Sequence, residues 1–348
     1  RVHPMATKNI NIALQGGGAH GAFTWGVLDR LLEEKELHLS GLSGTSAGAM
    51  NAAMVVEGHS RNGNAGAREL LEHFWLEISK LGMLFSPLQQ TPFETASQGF
   101  NLDWSLSYNY FDLLSRMASP YELNPLNINP LRYVLENCLD IKNLQQCSVI
   151  QLFIAATNVY TGQPRIFRCE EITIDVLLAS ACIPQLFQAV MIEGEPYWDG
   201  GYMGNPAIWP LIYNTGTPDV LLIQINPIER REVPIRSHEI ANRLNEITFN
   251  SSLIAEIRAI NFVKKLIKED RLPKDKYKNI HLHLIASDQV QDGLTASSKM
   301  NARWDFFCFL RDSGREAADE WIKKHWNDVG KKTTFDIEKT FLKRCKGA

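Results

Sequence analysis

Residues 9–32 read NINIALQGGGAHGAFTWGVLDRLL, and this segment indicates the fold class. A short, mostly apolar run over residues 9–15 ends in three glycines, and Phe23, Val27 and Leu31 then recur at helical spacing. The pattern predicts a strand, a glycine turn and a helix. Strands that alternate with helices are typical of an α/β fold around a largely parallel sheet.

A second unit of the same kind follows directly. It consists of a strand over residues 39–42, a turn over 44–48 and a helix over 49–57 that Gly58 closes. Further strands are predicted at 149–155, 165–168, 190–192, 220–225 and 280–285, and long helical patterns cover 235–269 and 311–326. We therefore expect one three-layer α/β/α domain over residues 5–348, with helices on both faces of a central, mostly parallel sheet.

Composition excludes several classes of protein. The 348 residues are 45% hydrophobic and 22% charged, as in ordinary globular proteins. A formal net charge of -3 argues against the broad basic surface of a nucleic-acid-binding protein. The six cysteines form no CxxC pair, which favours reduced thiols and implies no zinc site.

No apolar run approaches the roughly 18 residues of a membrane span, and the N-terminus lacks a signal-peptide pattern. We expect a cytoplasmic protein, with peripheral association with a membrane or micelle surface as a second option. Residues 1–4 precede a plausible initiator, Met5, and are interpreted as an expression remnant.

Residues 81–130 differ from the rest of the chain. Five of these 50 residues are charged and eight are aromatic. Such an apolar insertion is either a satellite core or a lid over a lipid-binding cleft. Residues 231–348 are expected to complete the domain with sheet-covering helices and a last strand.

The glycine run has several interpretations. Gly16, Gly17 and Gly18, followed by Gly21, satisfy GxGxxG between a strand and a helix, as in dinucleotide-binding proteins. The same backbone N–H groups could stabilise the oxyanion of acyl transfer, or the glycines could serve only tight packing. The acidic residue that holds a ribose is missing after the next strand, which leads into Ser46.

Gly44-Thr45-Ser46-Ala47-Gly48 is a GxSxG motif between a predicted strand and a predicted helix. In this setting the serine lies on a sharp turn that exposes its hydroxyl. Gly44 and Gly48 remove the Cβ atoms that would clash in such a turn. The motif predicts that Ser46 is a nucleophile.

A serine nucleophile needs a base. In the chain order Ser, acid, His, the histidine candidates are His238, His281, His283 and His325, none of which lies in a recognisable setting. Asp199 lies in Tyr-Trp-Asp-Gly-Gly, where an apolar run meets a glycine turn. An ordinary Asp is a weak base, but burial beside aromatic residues could raise its pKa.

These three motifs in this order resemble the patatin-like phospholipases, which are serine acyl hydrolases with a Ser–Asp dyad. The resemblance implies that Ser46 is the nucleophile, that Asp199 is the base, and that Gly16, Gly17 and Gly18 form the oxyanion hole. It also explains why no histidine stands out. Gly-Thr-Ser-Ala-Gly is itself a common form of the serine turn in this family. Ile183-Pro184, before the aspartate strand, and Asn205-Pro206, after it, resemble the bacterial members.

The resemblance covers residues 9–205 and has two departures. Many relatives carry Arg where His20 stands, and Gln15 replaces an acidic residue that is often found before the glycines. Beyond about residue 230 the resemblance assigns no functional residue.

The family implies a lipid acyl hydrolase of the phospholipase A, lysophospholipase or esterase type. It would act on lipid substrates through an acyl-enzyme, with no cofactor and no metal ion. Two alternatives stay open: a non-catalytic lipid-binding scaffold on the same fold, and a dinucleotide-dependent oxidoreductase.

Overall fold

The structure is a computed structural model that describes residues 7–85, 99–103, 105–273, 275–287 and 294–342. Residues 86–98 and 104 of the predicted insertion lie outside these ranges, as do Met5 and Cys345.

Eight strands form one sheet in the described ranges. They are β1 (Lys8–Leu14), β2 (Leu37–Gly44), β3 (Gln151–Asn158), β4 (Pro164–Arg168), β5 (Val190–Ile192), β6 (Glu195–Asp199), β7 (Asp219–Gln224) and β8 (His281–Ala286). The strand order is β5-β6-β3-β2-β1-β7-β8, and β4 pairs with β3 outside this path. The pairs β1–β2, β1–β7, β2–β3 and β7–β8 are parallel, whereas the pairs that involve β4, β5 and β6 are antiparallel.

The helices follow in chain order. They are α1 (Gly21–Leu31), α2 (Ala47–Phe85), α3 (Leu106–Met117), α4 (Pro120–Leu123), α5 (Pro130–Cys138), α6 (Ile141–Gln145), α7 (Ile174–Ser180), α8 (Trp209–Asn214), α9 (Ser237–Lys268), α10 (Trp304–His325) and α11 (Ile337–Phe341).

Strand β7 shows how the sheet separates two helical layers. Leu221 and Ile223 pack in the larger core, together with residues of α1, α2 and α10. Val220 and Leu222 pack in the smaller core with residues of α8, α9 and α11. Because successive side chains of a strand point to opposite faces, helices cover both sides of the sheet. The predicted three-layer α/β/α architecture and mostly parallel sheet are confirmed.

Parallel pairing brings the three sequence motifs to one edge of the sheet. Leu14 at the end of β1 pairs with Gly44 at the end of β2, and Gly44 pairs with Ile154 of β3. Asp199 ends β6 and pairs with Ala156, two residues further along β3. We call this side, where the parallel strands end, the carboxyl edge. The glycine loop, the serine turn and Asp199 all lie there.

The predicted end of the helix after the serine turn is wrong. Gly58 does not terminate α2, which continues to a break at Asn62 and Gly63, where the backbone leaves helical geometry. A Cβ atom on Gly58 would lie 2.5 Å from the carbonyl oxygen of Gly66, so Gly58 serves close packing across this break. Gly63, with φ of 57°, provides the left-handed residue of the turn.

Helices α1 and α10 approach each other closely through two glycines. A Cβ atom on Gly26 would lie 1.9 Å from the carbonyl oxygen of Arg311, and one on Gly314 would lie 2.1 Å from the carbonyl oxygen of Phe23. The glycine loop leads directly into α1, so this packing also fixes the position of that loop.

We expect Gly26→Val to lower the free energy of unfolding by roughly 2 kcal/mol or more, because the added side chain forces two backbones apart. The matched control is Gly216→Ala, since a Cβ atom on Gly216 would meet nothing within 4 Å. Chemical denaturation measures both variants. Equal stability of Gly26→Val and wild type would contradict the close approach of α1 and α10.

Candidate active site

Ser46 lies on a sharp turn between β2 and α2. Its φ of 54° is in the left-handed region, which non-glycine residues rarely occupy and which stores strain at functional sites. A Cβ atom on Gly44 would lie 2.5 Å from the carbonyl oxygen of Gly48, and one on Gly48 would lie 2.2 Å from that of Leu14. The predicted turn glycines therefore allow the tight turn that presents Ser46 at the carboxyl edge.

Asp199 and Ser46 are brought together although 153 positions separate them (199 − 46). The Ser46 side chain interacts with the carboxylate of Asp199 and stabilises its charged form, which lowers its pKa. Oδ1 of this carboxylate accepts the N–H of Gly201 at 2.7 Å. A Cβ atom on Gly200 would lie 2.1 Å from the carbonyl oxygen of Ala155, so the glycines after Asp199 let its strand end turn closely against β3.

Burial changes the acidity of Asp199. The side chain is 2% exposed, and burial raises its pKa from 3.8 to about 7. The hydrogen bonds from Gly201 and Ser46 oppose this rise because they stabilise the carboxylate. A carboxylate with this pKa is a much better proton acceptor at neutral pH than an exposed Asp.

The glycine loop packs directly on the serine turn. A Cβ atom on Gly16 would lie 2.7 Å from the Cβ atom of Ser46. The N–H of Gly16, however, donates to Oδ1 of Asn205 at 2.7 Å, so the expectation that this N–H serves an oxyanion is not met. Among the described residues, the N–H groups of Gly17 and Gly18 donate to no partner, which leaves these two as donors.

One loop, residues 200–207, connects the motifs. Oγ1 of Thr45 donates to the carbonyl oxygen of Gly204 at 2.6 Å, and Oγ of Ser43 donates to that of Ala207 at 2.5 Å. The side chain of Asn205 accepts the N–H of Gly16. The carbonyl oxygen of Asn205 accepts a hydrogen bond from Nε2 of Gln15 at 3.2 Å. The loop after the aspartate therefore fixes both the serine turn and the glycine loop.

Two residues that contribute to this arrangement, Ser180 and Asn226, carry no sequence signal, and Gln15 was visible only as a departure from the family pattern. Oγ of Ser180, at the end of α7, accepts the N–H of Ser46 at 3.0 Å. Asn226, after β7, donates to the carbonyl oxygen of Gly16 at 2.6 Å. Gln15 is fully buried, and its Oε1 accepts the backbone N–H groups of Ile225 and Asn226. A neutral amide at this position fits because it both donates and accepts.

At position 20, where many relatives carry Arg, this chain has a histidine. The positive charge near the glycine loop comes from Lys299 instead. His20 is buried, and Nε2 lies 2.7 Å from Oγ of Ser298. Burial, Lys299 and Arg230 lower its pKa to about 3, so its ring is neutral. Nζ of Lys299 donates to Oδ1 of Asn226 at 2.7 Å. Burial lowers the pKa of this ammonium group to about 8, which leaves it largely charged at neutral pH.

The C-terminal region therefore contributes to the loop, although the sequence assigned no residue there. A Cβ atom on Gly18 would lie 2.5 Å from the carbonyl oxygen of Lys299, so the segment Ala296–Met300 packs directly on the glycine loop.

The alternative histidine bases lie elsewhere. Nε2 of His283 is 2.9 Å from Oδ1 of Asp219, and Nδ1 of His281 is 3.5 Å from the same oxygen. Asp219 begins β7 and pairs with His281, the first residue of β8, so this group lies at the opposite edge of the sheet. His325 ends α10 beside Asp328. The side chain of His238 lies outside the described residues.

The described residues near the glycine loop do not include the ligand groups that are typical of a dinucleotide or a metal site. Strand β2 ends in Ser43 and Gly44, so no carboxylate is available at its end for a ribose. Within the described ranges, no group of three or more His, Cys, Asp or Glu side chains could hold a metal ion.

Residues 12–212 match the Patatin family, described as patatin-like phospholipase. The chain belongs to this family. The match covers more than half of the 348 residues and includes Ser46, Asp199 and the glycine loop. At the level of the family, the patatin-like chain is a lipid acyl hydrolase. No curated protein matches it significantly.

Solved structures with low sequence identity resemble this patatin-like chain. VipD from Legionella pneumophila is 14% identical with a TM-score of 0.43, and the match covers 97% of this chain and 73% of VipD. The ExoU–SpcU heterodimeric complex from Pseudomonas aeruginosa is 15% identical with a TM-score of 0.39, and the match covers 93% of this chain and 52% of the matched chain. The chain thus spans about half the length of that second protein.

In the described ranges, no helix is both long enough and apolar enough to cross a bilayer.

We expect Asp199→Asn to stabilise the fold at alkaline pH. The pKa of this carboxyl is 3.8 when unfolded and about 7 when folded, so ionisation opposes folding as the pH rises through this window. Between about pH 5 and pH 8 the wild type should lose roughly 2–3 kcal/mol relative to the variant. Denaturation at several pH values measures this difference.

The control is Asp312→Asn, whose side chain is mostly exposed on α10 and which should retain the wild-type pH dependence. If wild type and Asp199→Asn show the same pH dependence, the carboxyl of Asp199 does not have the raised pKa described above.

Proposed function

We propose that this protein hydrolyses carboxylic esters of lipids through a Ser46–Asp199 dyad and an acyl-enzyme. The observation that carries the proposal is the interaction of the Ser46 side chain, held on its strained turn, with a buried carboxylate whose pKa is raised to about 7. The glycine loop packs on this pair through Gly16, and the next two residues of the loop, Gly17 and Gly18, have backbone N–H groups that donate to no partner among the described residues. A nucleophile, a base and oxyanion donors are the groups that acyl transfer requires.

In the first half-reaction, Oγ of Ser46 bonds to the ester carbonyl carbon while its proton passes to the carboxylate of Asp199. The carbonyl oxygen becomes an oxyanion that the N–H groups of Gly17 and Gly18 stabilise. Asp199 then returns the proton to the leaving alcohol as the carbon–oxygen bond breaks. Each oxyanion donor contributes about 10²- to 10³-fold to kcat in comparable enzymes.

In the second half-reaction, water replaces the alcohol. Asp199 accepts a proton from water as the water oxygen attacks the acyl carbon, and the proton then returns to Oγ of Ser46 as the fatty acid leaves. The same two groups therefore serve both steps, and neither step needs an imidazole.

Asn205 is a positioning residue in this proposal. Because its Oδ1 holds the N–H of Gly16, the loop can turn its next two N–H groups toward Ser46. The backbone of Lys299 packs on Gly18, and its ammonium group adds a positive charge near the loop. This charge favours negative charge that develops on the substrate.

We expect Ser46→Ala to reduce hydrolysis of a lipid ester by at least about 10⁴-fold, because it removes the nucleophile. Asp199→Asn should reduce it by at least about 10²-fold, because an amide cannot accept the proton. Steady-state assays measure kcat, and circular dichroism checks that each variant is folded.

The matched controls are Ser60→Ala on α2 and Asp312→Asn on α10, which remove the same chemical groups away from the carboxyl edge. Both should retain wild-type turnover. Near-wild-type turnover by folded Ser46→Ala would refute the dyad. Lipid binding by a wild-type protein that hydrolyses no ester would favour the non-catalytic lipid-binding scaffold.

We also expect the pH profile to report Asp199. A general base must be deprotonated, so kcat/KM should rise with pH, with a midpoint near the pKa of about 7, and level off above it. The measurement uses a soluble ester whose own groups do not titrate in this range. A midpoint near pH 4, the ordinary range of a carboxyl group, would contradict the role of burial.

A further inference from the structure

Helix α3 presents an apolar stripe to solvent. Tyr110, Leu113 and Met117 are spaced by three and four residues, which places them on one face of the helix. These side chains are 65%, 54% and 75% exposed. A stripe of this kind normally faces a core, and among the described residues nothing covers it.

The N-terminal half of α9 presents a second apolar stripe. Ile240, Leu244 and Ile247 follow the same spacing, and all three are exposed. The opposite face of this half-helix is polar and buried, since Glu246 binds Arg230 and Asn250 accepts from Gln15. The exposed stripe is therefore not needed to attach α9 to the domain.

Both stripes lie beside the candidate active site. In α9, the ring of Phe249 packs at a tilt against the ring of Tyr202, with centroids 5.1 Å apart. Tyr202 lies three residues after Asp199. The segment that contains α3 is anchored at one end by the N–H of Leu102, which donates to Oγ of Ser297 at 2.8 Å. Ser297 precedes Lys299, which packs on the glycine loop.

The other anchor of the α3 segment lies near Asp199. Nε2 of Gln188 donates to the carbonyl oxygen of Asn124 at 2.9 Å. The carbonyl oxygen of Gln188 in turn accepts from the thiol of Cys182, whose own carbonyl oxygen accepts the N–H of Asp199 at 2.8 Å. The segment therefore extends from the glycine loop to the aspartate side of the site.

We propose that these two stripes dock on a zwitterionic lipid surface and hold the carboxyl edge against it. We call Tyr110, Leu113, Met117, Ile240, Leu244 and Ile247 the docking rim. This inference rests on the proposed lipid hydrolysis and names the surface from which the substrate is taken. Exposed apolar stripes on amphipathic helices bury themselves at the boundary between head groups and acyl chains.

The charges near the docking rim favour a neutral surface over an anionic one. Residues 105–128 contain one basic side chain and two acidic ones, Asp112 and Glu122. Residues 229–247, which lead into and include the α9 stripe, contain four arginines and four glutamates, so their formal charges cancel. Attraction to anionic lipid needs a cluster of uncompensated cations, which the docking rim lacks.

The test uses flotation of Ser46→Ala protein with phosphatidylcholine vesicles, so that binding is measured without turnover. We expect binding that persists when NaCl is raised from about 0.1 to 0.5 M, because apolar insertion is not screened. Leu113→Ser/Met117→Ser and Leu244→Ser/Ile247→Ser should each weaken binding at least about tenfold.

The matched control is Tyr213→Ser/Phe262→Ser, which removes two equally exposed apolar side chains from the opposite edge of the sheet. Phe262 belongs to the same helix as Leu244, but this half of α9 lies where Lys264 contacts the carbonyl oxygen of Ile280 before β8. The control should bind vesicles like the parent protein.

A second readout separates this inference from the proposed function. On the wild-type background, the ratio of vesicle hydrolysis to soluble-ester hydrolysis should fall at least about tenfold in the rim variants and stay constant in the control. Absence of all ester hydrolysis would refute the proposed function but not vesicle binding by the docking rim.

Three results would overturn the docking rim. They are soluble-ester turnover without vesicle binding, binding that requires anionic lipid and disappears at high salt, and equal loss of binding in the control. Sedimentation of a dimer that the rim variants convert to monomer would instead assign this surface to a second copy of the chain.

Discussion

The arrangement of the site depends on a buried set of hydrogen bonds around residues 200–207. These residues follow Asp199. The carbonyl oxygen of Gly204 accepts a hydrogen bond from Thr45 of the serine turn, and the side chain of Asn205 accepts one from the N–H of Gly16 in the glycine loop. Each bond is buried, so loss of one partner leaves an unsatisfied polar group and costs about 1–3 kcal/mol. The catalytic geometry is thus coupled to the stability of the fold.

In the proposed mechanism, burial lets the carboxylate of Asp199 take the place of the usual imidazole. The glycines on both sides of the site bring three backbone segments so close that little water reaches Asp199, which is 2% exposed. Desolvation disfavours the charged carboxylate and raises its pKa to about 7, the range in which histidine normally works. The same tight packing places Gly16 of the glycine loop against Ser46.

Much of this arrangement could be predicted from local sequence. The strand, turn and helix around Ser46 follow from apolar periodicity and from glycines whose Cβ atoms would clash, and both signals are local. The three-layer fold follows from the alternation of strands and helices. The end of α2 could not be predicted, because Gly58 does not terminate the helix. A side chain at position 58 would clash with the backbone of Gly66 on the other side of the helix break, and this contact has no local sequence signal.

The partners of the glycine loop could not be predicted either. Asn205 and Asn226 contribute single side chains from two different connections, and Ser180, at the end of α7, binds the serine turn; no spacing rule joins these residues to the motifs. The N–H of Gly16 is engaged by Asn205, and His20 is neutral because burial, Lys299 and Arg230 lower its pKa. Lys299 lies in a region without a recognisable motif, and only the fold places its backbone against Gly18.

The central claim is that Ser46 is activated by Asp199, and covalent capture tests it most directly. The protein is treated with an organophosphonate that reacts with activated serines, and mass spectrometry identifies the modified residue. The account predicts one adduct on Ser46, none on folded Ser46→Ala, and much slower labelling of Asp199→Asn. An adduct on another residue, or labelling of Asp199→Asn at the wild-type rate, would contradict it.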